Sequence, residues 1–117
     1  MPENARVFLA EDDKNLMKLE RLYIEREGYH KVVLEASSLE EALEKVKLAE
    51  EKRVTVAVLD GSISGKPTDG PQIAEALRKA ILEIKIVSFS GEPVSWGDEN
   101  PMKPYGLGNL SKIISNL

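Results

Sequence analysis

Apolar residues along this chain follow two distinct periods. Residues 6–10, 31–36, 54–59 and 84–89 are short runs rich in Val, Ile, Leu and Phe, the pattern of strands, the first of them buried. Between them apolar residues recur every three or four positions. Residues 14–27 carry Leu16, Leu19, Leu22 and Tyr23 on one face, and the next segment carries Leu39, Ala42, Leu43 and Val46. Ile73, Ala76, Leu77 and Ala80 follow, and residues 107–117 carry Leu110, Ile113, Ile114 and Leu117. These spacings predict four helices, each with one buried face. The punctuation agrees. Gly28 can stop the first helix, Ser38 and Glu41 form a capping-box pair, and Pro71 suits a first helical position.

Strands alternating with helices predict an α/β fold around a parallel sheet, in a single domain over residues 1–117. Composition narrows the chemistry. Hydrophobic residues make up 42% of the chain, enough for a packed core, and the net charge is −4. An acidic chain argues against binding a nucleic-acid backbone. With no Cys and a single His, disulfides, thiol catalysis and zinc–thiolate sites are excluded. The longest apolar runs, such as Val7 to Ala10, are four residues, too short to span a membrane. The N-terminus has no signal pattern, so a soluble cytoplasmic protein is expected.

Ligands of parallel α/β sheets bind beyond the carboxyl ends of the strands. Glu11, Asp12 and Asp13 follow the first strand, Asp60 the third, Ser90 and Gly91 the fourth, and Lys103-Pro104 precedes the last helix. Clustered carboxylates repel unless a cation sits among them, and Mg²⁺ favours carboxylate, water and phosphate oxygens. An Asp carboxylate can attack phosphorus, and positive charge then stabilises the transferring group. The Gly-rich segment 61–70 lacks the spacing of a P-loop.

The four pieces Val7-Phe8-Leu9-Ala10-Glu11-Asp12-Asp13, Val56-Ala57-Val58-Leu59-Asp60, Ile86-Val87-Ser88-Phe89-Ser90-Gly91 and Lys103-Pro104 resemble, in that order, the receiver domain of two-component response regulators. The resemblance implies a flavodoxin-like, doubly wound parallel sheet of five strands in the order 2-1-3-4-5. It implies Asp60 as phospho-acceptor. Mg²⁺ would be held by Glu11, Asp12, Asp60 and the backbone carbonyl of Ser62, Asp12 directly and Glu11 through water. Ser90 matches the hydroxyl residue that moves toward the phosphoryl group, and Lys103 the family lysine, with a cis bond to Pro104. The implied partners are a histidine kinase or phosphotransfer protein and an output protein that the sequence does not identify. No enzyme activity beyond autocatalytic phospho-acceptance is implied.

Three departures from the family stand out. The loop after Asp60 is longer, with Ser64 where a Pro is usual and Pro67 and Gly70 further on, so a freer loop is expected. Only twelve residues, Gly91 to Met102, separate Ser90 from Lys103, too few for a helix, a strand and two connections. The usual fourth helix is therefore expected to be a loop, with a short fifth strand around Pro101 and Met102. Asn100 stands where an aromatic switch residue is usual, and Trp96 and Tyr105 are out of register with it.

Two other readings compete: a receiver-like interaction module that does not switch, and an aspartate-nucleophile phosphatase. The second needs an Asp where Ser62 stands. Asp13 is expected at a solvated helix start, where its charge suits the positive helix end, Ser88 to pack or bond within its strand, His30 to sit in a surface turn, and Trp96 to anchor its loop.

Overall fold

A computed structural model describes residues 4–104 and 106–117; Tyr105 lies outside the described residues. Strands β1 (Arg6–Ala10), β2 (Lys31–Ala36), β3 (Val56–Leu59) and β4 (Lys85–Ser88) form one parallel sheet in the order β2-β1-β3-β4. Alternating side chains send Phe8, Ala10, Ala57, Leu59 and Ile86 to one face. Val7, Leu9, Val56, Val58 and Val87 go to the other. Helices α2 (Leu39–Ala49) and α3 (Asp69–Ala80) cover the first face, through Ala42, Ile73 and Leu77. Helix α1 (Lys14–Glu25) and the C-terminal helix α4 (Leu110–Ser115) cover the second, through Ile24, Leu110 and Ile114. None of these helices is long and apolar enough to cross a membrane.

The helix boundaries follow local chemistry. Asp13 caps α1, its carboxylate accepting from the N–H groups of Asn15 and Leu16. Gly28 ends the segment with φ +82°, a conformation that costs other residues more. Ser38 caps α2 by accepting from Glu41 N at 3.1 Å, while Glu41 reaches back to Ser37 N, one residue before the cap itself. Helix α3 starts at Asp69, two residues before Pro71. Residues 107–109 form a 3₁₀ turn ahead of α4.

Helix α1 is rotated relative to its apolar pattern. Leu19 and Leu22 are 45% and 58% exposed, whereas Glu20 and Ile24 are buried. The sheet-facing row is Met17, Glu20 and Ile24, a 3–4 spacing with a carboxylic acid in its middle.

The fifth strand expected from the sequence does not form among the described residues. Two isolated parallel bridges, Val87 with Glu99 and Ser90 with Met102, take its place along β4. Backbone bonds make a partial ladder, Ser88 N donating to Glu99 O at 2.9 Å and Asp98 N to Ile86 O at 2.6 Å, and side chains reinforce it. Asp98 Oδ2 accepts from Ile86 N at 2.7 Å. Asn100 folds back onto Gly97, Oδ1 accepting from Gly97 N at 2.8 Å and Nδ2 donating to Gly97 O at 3.1 Å. Ser88 Oγ donates to the same Asn100 Oδ1 at 2.7 Å. Pro101 has no N–H to offer. Among the described residues none of 91–102 is helical, as the residue count requires.

Trp96 packs on the core beneath α2 and α3. Its carbonyl accepts from Arg78 Nη2 at 3.1 Å. Its ring fits against Gly70, where a Cβ would lie 2.7 Å from Trp96 Cζ2. The loop after Asp60, expected to be free, is closed on itself. Buried Asp69 accepts from Ser64 N and Lys66 N at 2.9 and 3.0 Å, and Gly70 N donates to Gly61 O.

His30 is not the surface residue its turn suggested. It is 4% exposed. Its Nδ1 accepts from Ala5 N at 3.1 Å, and Nε2 faces Ser111 O and Ser115 Oγ at 3.2 and 2.8 Å. Accepting at Nδ1 makes the ring neutral with its proton on Nε2. His30 thus ties the start of β1 to α4. Burial lowers its pKa below the ordinary 6.5, against the Ser111 carbonyl and Glu27, which raise it. The unfolded chain therefore takes up the proton first. Stability from neutral His30 is complete above pH 6.5 and is lost as pH falls below that toward the folded-state value. Melting temperatures measured from pH 7.5 downward through this window should fall more steeply for the wild type than for His30→Gln. Parallel curves would show that His30 does not link folding to pH.

Candidate functional site

The carboxyl ends of three strands converge on one rim. Strand β1 runs into Glu11 and Asp12, β3 into Asp60, and β4 toward Ser90. Asp60 N donates to Ala10 O and Glu11 N to Ala36 O, both extending the ladder beyond the strand ends. The carboxylates of Glu11, Asp12 and Asp60 each bring an oxygen within 4.8 Å of the other two. Glu11 is buried, Asp12 exposed, and Asp60 only 7% exposed.

Lys103 reaches into this group from the far end of the 91–102 loop. Its Nζ lies 2.7 Å from Glu11 Oε1 and 3.3 Å from Asp60 Oδ1. The Lys103–Pro104 bond is cis, and Lys103 N donates to Ser90 O at 2.8 Å. Burial works against the ammonium, but Glu11 and Asp60 more than offset it and raise the Lys103 pKa. Burial raises Asp60 in spite of Lys103, with Asp12 adding to the rise. Asp12 is raised by burial first and then by Glu11. Two carboxylates thus resist ionisation on one rim, and a single ammonium does not neutralise the set. Hard oxygen donors short of positive charge fit a divalent cation such as Mg²⁺.

Ser90 is buried beside the acceptor: a Cβ at Gly61 would stand 3.1 Å from Ser90 Oγ. That oxygen accepts from Glu92 N at 3.2 Å, leaving the hydroxyl proton free to donate. Ser62 N donates to Asp60 Oδ1 at 3.3 Å, and Ser62 O accepts from Gly65 N at 2.9 Å, closing a turn. The Ser62 carbonyl retains a second lone pair. Asp13 is spent on its cap, its backbone N–H donating to Glu11 Oε2 at 3.1 Å. Ser88 is bonded to Asn100, away from the cluster. The structure therefore brings Glu11, Asp12, Asp60, Ser62, Ser90 and Lys103 to one rim.

Sequence reasoning missed Glu20. Its side chain is 1% exposed, and among the described residues no donor reaches either carboxyl oxygen. Burial pushes its pKa up to about 10, and neighbouring Glu11 adds to the rise while Lys103 opposes it. The available signal was the 17-20-24 spacing, which competes with the more apolar 16-19-23 row.

The response regulator receiver domain family matches residues 7–96 of the chain. No curated protein matches it. Among solved structures, the signal receiver domain of NarL from Mycobacterium tuberculosis is 24% identical, with a TM-score of 0.79 over 98% of this chain and 96% of that one. A CheY-like receiver domain protein from Methanospirillum hungatei is 21% identical, with a TM-score of 0.75 over 96% and 91%. The isolated receiver domain of RcsB from Salmonella enterica serovar Typhimurium, solved with a beryllofluoride phosphoryl mimic, is 16% identical, with a TM-score of 0.77 over 96% and 86%. These likenesses show a shared fold.

Proposed function

The chain belongs to the response regulator receiver domain family, and on that premise we propose that it accepts a phosphoryl group on Asp60 and signals through a partner protein. The observation that carries this reading is the Lys103 ammonium bridging Glu11 and Asp60, with Asp12 alongside. The closeness of Asp60, the acidic pair Glu11 and Asp12, and the Lys103 ammonium supports the reading.

The proposed donor is a phosphohistidine of a histidine kinase or phosphotransfer protein. An Asp60 oxygen attacks phosphorus and the P–N bond breaks. The imidazole leaves with the electron pair and keeps its ring proton as a neutral leaving group. Asp60 then carries an acyl phosphate. Lys103 moves from Asp60 to a phosphoryl oxygen, and the free Ser90 proton is donated to another. Glu11, Asp12, Asp60 and the Ser62 carbonyl would hold Mg²⁺, which supplies positive charge to the transferring phosphoryl oxygens. The setting proposed for this chemistry is the cytoplasm, without nucleic acid or membrane, and the chain acts as substrate of the transfer rather than as a turnover enzyme.

A second reading, an interaction module that does not switch, is favoured by Asn100 standing in the aromatic position and bonded to Ser88 and Gly97. Intact mass after incubation with Mg²⁺ and a small acyl-phosphate donor separates the two. One phosphoryl adduct per chain is expected; no adduct selects the module, and rapid multiple turnover selects a phosphatase.

Metal binding has its own test. At Mg²⁺ 100 times its dissociation constant, linkage adds about 2.7 kcal/mol of stability. The melting temperature should rise with Mg²⁺ in the wild type and much less in Asp12→Asn. Equal responses would place the ion elsewhere.

A further inference from the structure

Helix α1 is apolar on two opposite sides. Met17 and Ile24 pack on the sheet, whereas Leu19 and Leu22 are 45% and 58% exposed. A single exposed leucine is ordinary, but these two are neighbours on one ridge. Asn15, Leu19, Leu22 and Arg26 succeed one another at spacings of four, three and four, the row that fills the seam between two packed helices. All four are exposed. Half-buried Leu16 and Tyr23 flank the row on one side, and Lys18 and Glu25 flank it on the other. A helix with apolar residues on both sides calls for a second neighbour, and β1, β2 and α4, against which α1 lies, leave this ridge open.

We propose that the outer face of α1 binds a second copy of this chain, in an antiparallel, two-fold contact between the two α1 helices centred between Leu19 and Leu22. The ridge is complementary to itself in that one register. With Leu19 of one copy against Leu22 of the other, the two-fold axis sets Lys18 opposite Glu25 twice on one flank, and Leu16 opposite Tyr23 twice on the other. Asn15 meets Arg26 at each end. A parallel pairing would instead lay the charged flank of one helix against the apolar flank of the other, so the flanks fix the antiparallel sense. Opposite charges and apolar pairs thus fall into place together, from one sequence facing itself.

Two short helices bury little area, so the dimer is weak and is read by sedimentation velocity of the full chain at concentrations up to about 1 mM. The wild type should pass from monomer toward dimer over that range. Leu22→Glu puts two carboxylates into the apolar seam and should abolish the dimer. Lys18→Glu sets like charges opposite each other twice and should weaken association about tenfold. Adding Glu25→Gln removes that repulsion, keeps an acceptor for Val32 N, which Glu25 holds at 2.8 Å, and should recover most of the loss. Lys79→Glu on α3, across the sheet, makes the same change in net charge and should stay within about twofold of the wild type. A wild type that is monomeric throughout the range overturns the proposal and leaves the ridge to a different partner. Association as strong in Lys18→Glu or Leu22→Glu as in the wild type overturns it as well. So does an equal loss in Lys79→Glu, because net charge rather than this face would then govern association.

Discussion

Asp60→Asn should reduce phosphoryl labelling to background while leaving the fold intact. The amide keeps the volume of the carboxylate but has no anionic oxygen to attack phosphorus. The substitution is mild for the structure because Lys103 retains Glu11 at 2.7 Å. It also removes one of two rim carboxylates whose ionisation burial resists, so the melting temperature should hold or rise. Peptide mapping after Mg²⁺ and an acyl-phosphate donor should place the wild-type label on Asp60. Label that survives the substitution would move the acceptor elsewhere.

Trp96→Ala should cost about 3 kcal/mol, at the lower end for deleting a large aromatic because the ring is only partly buried. A melting temperature lower by about 10 °C is the expected reading. Trp96 is the one large apolar anchor of the loop that stands where a helix is usual, and α3 is shaped to receive it. Gly70 leaves the space, and Arg78 holds the Trp96 carbonyl at 3.1 Å. Gly70→Ala should lower stability through the same contact, since its Cβ would also approach Asp60 O to 2.8 Å. Because the ring adjoins Gly70 and Gly61, on the carboxyl side of Asp60, Trp96 fluorescence should change when beryllofluoride binds. A Trp96→Ala protein as stable as the wild type would remove the ring from its role as anchor. An unchanged signal at saturation would uncouple it from the site.

Strand positions were legible because short runs rich in Val, Leu and Ile mark strands of a parallel sheet. Residues 6–10 and 31–36 match β1 and β2 in full. The residues of the rim were legible because each directly follows a strand or precedes the last helix, where only ligand chemistry gathers polar groups. Helix α1 was misread in its facing, since a periodicity argument counts apolar side chains and the buried row contains a glutamate. His30 was misread for a related reason: its partners are a backbone N–H and the distant residues Ser111 and Ser115, and no local pattern announces them. The short fifth strand expected around Pro101 and Met102 is reduced to single bridges at Glu99 and Met102, since Pro101 has no N–H to continue the ladder.

The bond from Lys103 N to Ser90 O, 2.8 Å long, closes the neck of the segment between them. Both side chains assigned to the phosphoryl oxygens therefore stand at the two feet of one Ω-shaped excursion. The neck, rather than the length of the excursion, sets their separation. Loop-closure entropy grows only slowly with length, so the length of the excursion bears little on how the two feet are held at the rim.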